Sequence, residues 1–121
     1  MKKAEGFTYV KTSKRYVCDY KGCAWGKGRL TRNANVTLNE SACVLQYAQT
    51  CFEGLKAYRT DDGHIVCFRP DLNEKRLADS CRRMVIPSLP EGMFTEAVKE
   101  EKVKTGQTMA FYVLALGELV H

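Results

Sequence analysis

Polar and apolar positions alternate most cleanly in the middle of the chain. GLKAYR (54–59) and HIVCFR (64–69) change side residue by residue, the period-two pattern of a half-buried strand. Between them stands Thr60-Asp61-Asp62-Gly63, and an Asp-Gly step favours a tight hairpin turn. The two runs predict an antiparallel hairpin. Immediately afterwards the period lengthens. Leu77, Ala78, Cys81 and Val85 recur at helical spacing, Lys75, Asp79, Arg82 and Arg83 occupy the opposite face, and Pro87 stops the run. Asp71 is placed to cap this helix, and Glu74, three residues on, completes a capping box with Asp in place of Ser or Thr.

Elsewhere the pattern is weaker but legible. FTYV (7–10) and RYVCDY (15–20) are rich in β-branched and aromatic residues and read as strands, with KGCAWGKG supplying turn glycines and TRNAN a loop. NESACVLQY (39–47) predicts a short helix capped by Asn39 or Ser41. A further helix is expected from about Glu91 to Lys102 with Phe94, Ala97 and Val98 inward. Thr105-Gly106 ends it, and QTMAFYVLAL reads as a final buried strand. No repeat or linker divides the chain. The expected fold is one α+β domain, a mainly antiparallel sheet with two or three helices packed on one side. Residues 1–104 form its body and 105–121 a C-terminal tail.

Composition narrows the class. With 121 residues, 45% apolar and 27% charged, the chain can bury a core and is not expected to be disordered. Its net charge of +5 is spread along the sequence, which describes a solvated surface more than a dedicated polyanion site. MKKAEGFTYV is followed by KTSKR and not by an apolar run, so no signal peptide is read, and MAFYVLAL (109–116) is too short to span a bilayer. A cytoplasmic, membrane-free protein is expected, with Cys18, Cys23, Cys43, Cys51, Cys67 and Cys81 as reduced thiols.

Three chemistries compete. Cys18-x4-Cys23 with His64-x-x-Cys67 could supply four zinc ligands, but strand alternation turns His64 and Cys67 to opposite faces, and unliganded thiols are the better reading. Lys14, Arg15, Tyr16, Tyr20 and Lys21 mix cations with rings as a nucleic-acid surface would, yet no recognised nucleic-acid motif accompanies them, and none is assigned. The third is sharper. Arg69 stands at a strand end and Arg76 one to two turns into the next helix. Forked guanidinium donors at a strand-to-helix junction suit a phosphate group.

The stretch LQYAQTCFEGLKAYRTDDGHIVCFRPDLNEKRLADSCRRMVIPSLPEGMFTEAV (45–98) resembles the N-terminal small domain of branched-chain amino-acid aminotransferases, class IV (fold type IV) pyridoxal-phosphate enzymes. It carries F-E-G-L-K-A-Y, a D-G hairpin, F-R-P and N-x-x-R-L-x-x-S-x-R-R, with Gln46 where His is common and Ala48 where Gly is common. The upstream segment resembles the family's start as well, so the likeness covers roughly the first hundred residues. It implies that Arg76 binds the phosphate of pyridoxal phosphate, and that Phe52 and Gly54 line the substrate pocket as an aromatic wall and a position without a side chain. Tyr47 would reach a neighbouring subunit's site. The implied substrates are Leu, Ile or Val with a 2-oxo acid, and the implied assembly is a homo-oligomer. No catalytic residue and no metal ligand is assigned.

Two departures qualify the likeness. EEKVKTGQTMAFYVLALGELVH lacks the Arg-Pro strand that the family links to substrate-carboxylate recognition. The large cofactor domain, with the lysine that holds the cofactor covalently, does not follow in these residues. The expectation is a truncated aminotransferase, inactive alone and binding pyridoxal phosphate weakly or not at all. The alternatives are a non-catalytic remnant that self-associates or binds a partner, and the small zinc module.

Overall fold

The computed structural model describes residues 11–100 and 108–117. The expected strand 7–10, the end of the helix beyond residue 100 and the Thr105-Gly106 break lie outside them. Four short strands come first: β1 (Arg15–Val17) pairs with β4 (Arg29–Thr31), and β2 (Tyr20–Lys21) with β3 (Ala24–Trp25), both antiparallel. RYVCDY is therefore two strands separated by Cys18-Asp19. The backbone carbonyl of Asp19 accepts from Gly26 N–H at 2.8 Å and folds the tip back. Helix α1 (Cys43–Gln46) follows, then β5 (Thr50–Arg59), β6 (Ile65–Cys67), α2 (Pro70–Arg83), α3 (Met93–Glu100) and β7 (Thr108–Leu114).

Strand β5 organises the domain. Along TCFEGLKAYR the residues Cys51, Glu53, Leu55 and Ala57 are buried, while Phe52, Lys56 and Tyr58 are exposed. One face is core and the other is open. β5 is the centre of a three-stranded sheet, β6-β5-β7. It pairs with β7 from Thr50↔Leu114 to Lys56↔Thr108 and with β6 from Ala57↔Cys67 to Arg59↔Ile65, both antiparallel. The hairpin forms where Asp-Gly placed it, with Gly63 at φ 89, but its second strand is shorter than 64–69. Phe68 and Arg69 leave the ladder because Arg69 swings into the left-handed region, φ 46, to deliver Pro70 as the first residue of α2. Proline has no N–H to lose there.

That start replaces the expected capping box. Asp71 lies inside the first turn and binds the Arg69 guanidinium at 2.9 and 2.8 Å. Glu74 instead accepts from the backbone N–H of Gly92 at 3.1 Å, tying α2 to the loop before α3. At the other end Ile86 N–H returns to Cys81 O at 2.8 Å and Val85 N–H to Arg82 O at 3.2 Å, a Schellman closure with Val85 at φ 56 where glycine is usual. Val85, expected inward, is thereby thrown outward and is 84% exposed; Ile86 takes the core place. Asn39 and Ser41 do not cap α1 either. Ala42 is its N-cap residue, and Ser41 donates from both N–H and Oγ to Asn39 Oδ1.

The core joins Cys51, Leu55 and Ala57 of β5 to Leu77 and Cys81 of α2, Ile86, Phe94 of α3, and Met109 and Val113 of β7. Phe94 packs on Phe111 with ring centroids 4.4 Å apart. Trp25 joins the margin and donates from Nε1 to Ser88 O at 2.9 Å, holding the β2–β3 hairpin to the body. α1 is fastened to the residues after β7 by Cys43 N–H to Gly117 O, 2.9 Å, and Val44 N–H to Ala115 O, 2.8 Å. The described residues thus form an α+β fold with antiparallel sheets and three helices, the class read from the pattern.

Candidate functional site

Alternation on β5 sorts its candidate residues by face. Phe52 and Gly54 look outward from the sheet while Glu53, between them, looks inward to α2. Phe52 is 57% exposed and leans on Tyr112 across the strand pair, centroids 5.5 Å apart. Gly54 lies opposite Ala110. Beyond the aromatic pair the sheet surface therefore carries nothing larger than a methyl group, until Lys56. A cavity of about 310 Å³ opens beside this edge, lined by Thr50, Cys51, Phe52, Ser80, Arg83 and Met84.

On the inner side Glu53 is the one buried charged side chain among the described residues, 4% exposed. A lone carboxylate there would be costly, and the fold answers with three side-chain donors. Arg76 Nε donates to Oε2 at 2.8 Å, and Arg76 Nη2 donates to Oε1. Asn73 Nδ2 donates to the same Oε1 at 2.9 Å and to the carbonyl of Gly54 at 3.0 Å. Asn73 and Arg76 stand three apart, one face of one turn of α2. The Arg76 hydrogen bonds hold the Glu53 carboxyl below its ordinary range, against the opposing push of burial and with help from Asn73. The same pair raises Arg76, which stays charged.

The guanidinium itself is turned to solvent, its side chain 69% exposed. It has five N–H groups, and two are engaged by Glu53, so three are left to meet an anion. Planar, forked and already oriented, they fit phosphate oxygens. Arg69 does not join them, because its own fork is closed on Asp71. Tyr47 closes α1 at its C-terminal end and is 69% exposed. Arg76 thus meets Glu53 on the inner face of β5 while Phe52 and Gly54 occupy the outer face, and Asn73 links the two through its hydrogen bond to the Gly54 carbonyl.

Glu53, Asn73 and Tyr112 were not singled out from the sequence. Glu53 carried a usable signal, an acid in phase with Cys51, Leu55 and Ala57 on a strand's buried face. Asn73 opens the quoted N-x-x-R motif but no partner could be read for it, and Tyr112 carried no signal, since their partners lie 19 residues away or more along the chain.

The rival chemistries find no such convergence. Cys18 Sγ donates to Gly26 O at 2.9 Å, and the His64 ring pairs with Asp62 at 2.8 Å on the exposed hairpin turn. Among the described residues no three His, Cys, Asp or Glu side chains are grouped to hold a metal. Tyr16 is half-buried with its ring where a Cβ on Gly28 would sit, and Tyr20 meets Trp25 edge-on at 5.3 Å. Of the two rings in 14–21, Tyr16 is engaged against Gly28 while Tyr20 stays 41% exposed. Among the described residues no helix is long and apolar enough to cross a membrane.

No family model matches the chain. Individual proteins do. It is 44% identical over 95 residues to a branched-chain-amino-acid aminotransferase of Helicobacter pylori and 41% identical over 95 residues to one of Haemophilus influenzae, each alignment covering 78% of this chain and 28% of the relative. It is 47% identical over 96 residues to branched-chain-amino-acid transaminase 1 of Bacillus subtilis, covering 78% of this chain and 27% of that protein. The chain spans a little over a quarter of the length of the curated relatives it matches. At this identity over most of its length, the chain belongs to the branched-chain aminotransferases and matches an N-terminal fragment of them.

Proposed function

We propose that this chain supplies the phosphate anchor and part of the substrate wall of a pyridoxal-phosphate-dependent transfer of the amino group of Leu, Ile or Val to 2-oxoglutarate. The carrying observation is the Glu53–Arg76–Asn73 cluster, which fixes an exposed guanidinium against the strand that bears Phe52 and Gly54. Arg76 would hold the cofactor phosphate through its three unshared N–H groups. Held there by Arg76, pyridoxal phosphate would supply the electron sink for chemistry at the amino acid Cα. Phe52 and Tyr112 exclude water from one side of an aliphatic side chain, and the Gly54–Ala110 floor admits it close to the sheet.

We further propose that these 121 residues assayed by themselves do not transaminate. They span little over a quarter of the relatives' length, and one charge-assisted phosphate contact is worth about 1.5–3 kcal/mol, far below what holds a cofactor. A leucine and 2-oxoglutarate coupled assay with excess pyridoxal phosphate tests this against a protein-free control. Turnover equal to the control is expected. Turnover above it that Arg76→Ala abolishes would overturn the reading and show that the segment has a site of its own.

The open face favours self-association as a second role. Phe52, Tyr58, Val66 and Tyr112 are all between 45% and 65% exposed on the outer side of β6-β5-β7. Two exposed apolar pairs on one face, Phe52 with Tyr112 and Tyr58 with Val66 either side of Lys56, favour an interface there. A cytoplasmic setting is supported by six free cysteines.

A further inference from the structure

Glu53 presents a puzzle that stability alone does not solve. It occupies an inward position among Cys51, Leu55 and Ala57, where an apolar residue would bury well, and its partner is an arginine whose side chain is 69% exposed. A buried ion pair of this kind is a poor source of stability compared with packed apolar side chains. Its geometry is nevertheless closely specified. Both carboxylate oxygens are taken by one guanidinium edge, and Asn73 fixes Oε1 while also binding the Gly54 carbonyl.

We propose that Glu53 is a positioning residue: by gripping Nε and Nη2 of Arg76 it aims the remaining guanidinium edge at a bound phosphate, and Asn73 sets that edge in register with Gly54. This rests on reading Arg76 as the phosphate anchor and assigns the residues that make it one. Arginine brings about 2 kcal/mol of rotamer entropy, and a group already held loses less of it on binding. Through Asn73 the phosphate end and the substrate floor become one rigid unit, because the same amide nitrogen touches Glu53 and the backbone of β5.

The proposal makes a prediction opposite in sign to simple electrostatics. Removing the Glu53 charge adds one unit of net positive charge beside Arg76, which by Coulomb attraction alone strengthens anion binding. Loss of positioning weakens it. The experiment is a titration of the ¹⁵N-labelled chain with inorganic phosphate, following the Arg76 Nε–H resonance in wild type, Glu53→Gln, Asn73→Ala and Arg76→Lys. The wild-type resonance is expected in slow exchange with solvent and shifting on phosphate addition. In Glu53→Gln phosphate affinity should fall about three- to tenfold, the fold-change matching the net worth of one hydrogen bond. Asn73→Ala keeps the charge and should weaken binding by less, which preserves the test if Glu53→Gln does not fold. Arg76→Lys, a point charge without a fork, should not restore affinity. Unchanged or tighter phosphate binding in Glu53→Gln, or in Asn73→Ala where the first variant is unfolded, overturns the positioning role. A wild-type Arg76 resonance indifferent to phosphate overturns the anchor reading itself, and the role with it.

Discussion

Ala48 and Val85 hold a left-handed backbone, φ 50 and φ 56, that a Cβ disfavours. Ala48 stands where the resemblance to the aminotransferases expects glycine, a residue that adopts such a φ without strain. Both residues are exposed, so glycine removes strain without removing packing. Ala48→Gly and Val85→Gly should each stabilise by about 0.5–1 kcal/mol, Val85 the more because it is β-branched, as read from urea midpoints. Glu53 gives a pH signature at the same scale. Its carboxyl is lowered in the folded state from an ordinary 4.5, chiefly by Arg76. The associated stability is complete above the unfolded value and is lost as pH falls through the lower folded value. Urea midpoints from pH 7 down to 3 should therefore drop less steeply in Glu53→Gln than in wild type. The core thiols add a third test. Cys81 is pushed up to about 11, first by burial and then by the adjacent Cys51 thiol, and both are at most 5% exposed. Iodoacetamide at pH 8 should label exposed Cys23 promptly in the native protein, and Cys51 and Cys81 only after denaturation.

At the scale of elements, α2 is the hinge between core and site. One side of it sends Leu77 and Cys81 into the core, and the adjoining side presents Asn73 and Arg76 to Glu53. Leu77 is 1% exposed, whereas Leu72, one turn from the start, is 51% exposed. Leu77→Ala should cost about 2–5 kcal/mol and Leu72→Ala no more than about 0.5 kcal/mol in the same denaturation assay. Loss of α2 packing would also release Arg76, so Leu77→Ala is expected to weaken phosphate binding near its unfolding transition only.

At the scale of the molecule, the outer face of β6-β5-β7 leaves Phe52, Tyr58, Val66 and Tyr112 exposed, a surface that a cover would bury. Light scattering of the isolated chain should show mass rising with concentration, and Phe52→Ser with Tyr112→Ser should lower that rise. A monomer independent of concentration would refute self-association through this face.

Sequence alone determined whatever depends on neighbours along the chain. Period-two alternation marked β5, Asp62-Gly63 set the hairpin turn, and the 77–78–81 spacing with Pro87 bounded α2, because these preferences act within a few residues. Phe52, Gly54 and Arg76 were singled out through the resemblance of a contiguous motif to the aminotransferases, and their roles rest on that resemblance. Tertiary structure decided the rest. Whether α2 begins on a capping Asp or on Pro70 turned on how the chain leaves β6, and whether residue 85 or 86 enters the core turned on the left-handed closure at the helix end. The partner of β5 along residues 50–56 proved to be β7, whose register is fixed by opposing faces and not by its own pattern. Above all, a glutamate on a strand and an arginine 23 residues later became one device only when α2 packed on β5. A buried charge must find its counter-charge in space, and sequence distance does not encode that meeting.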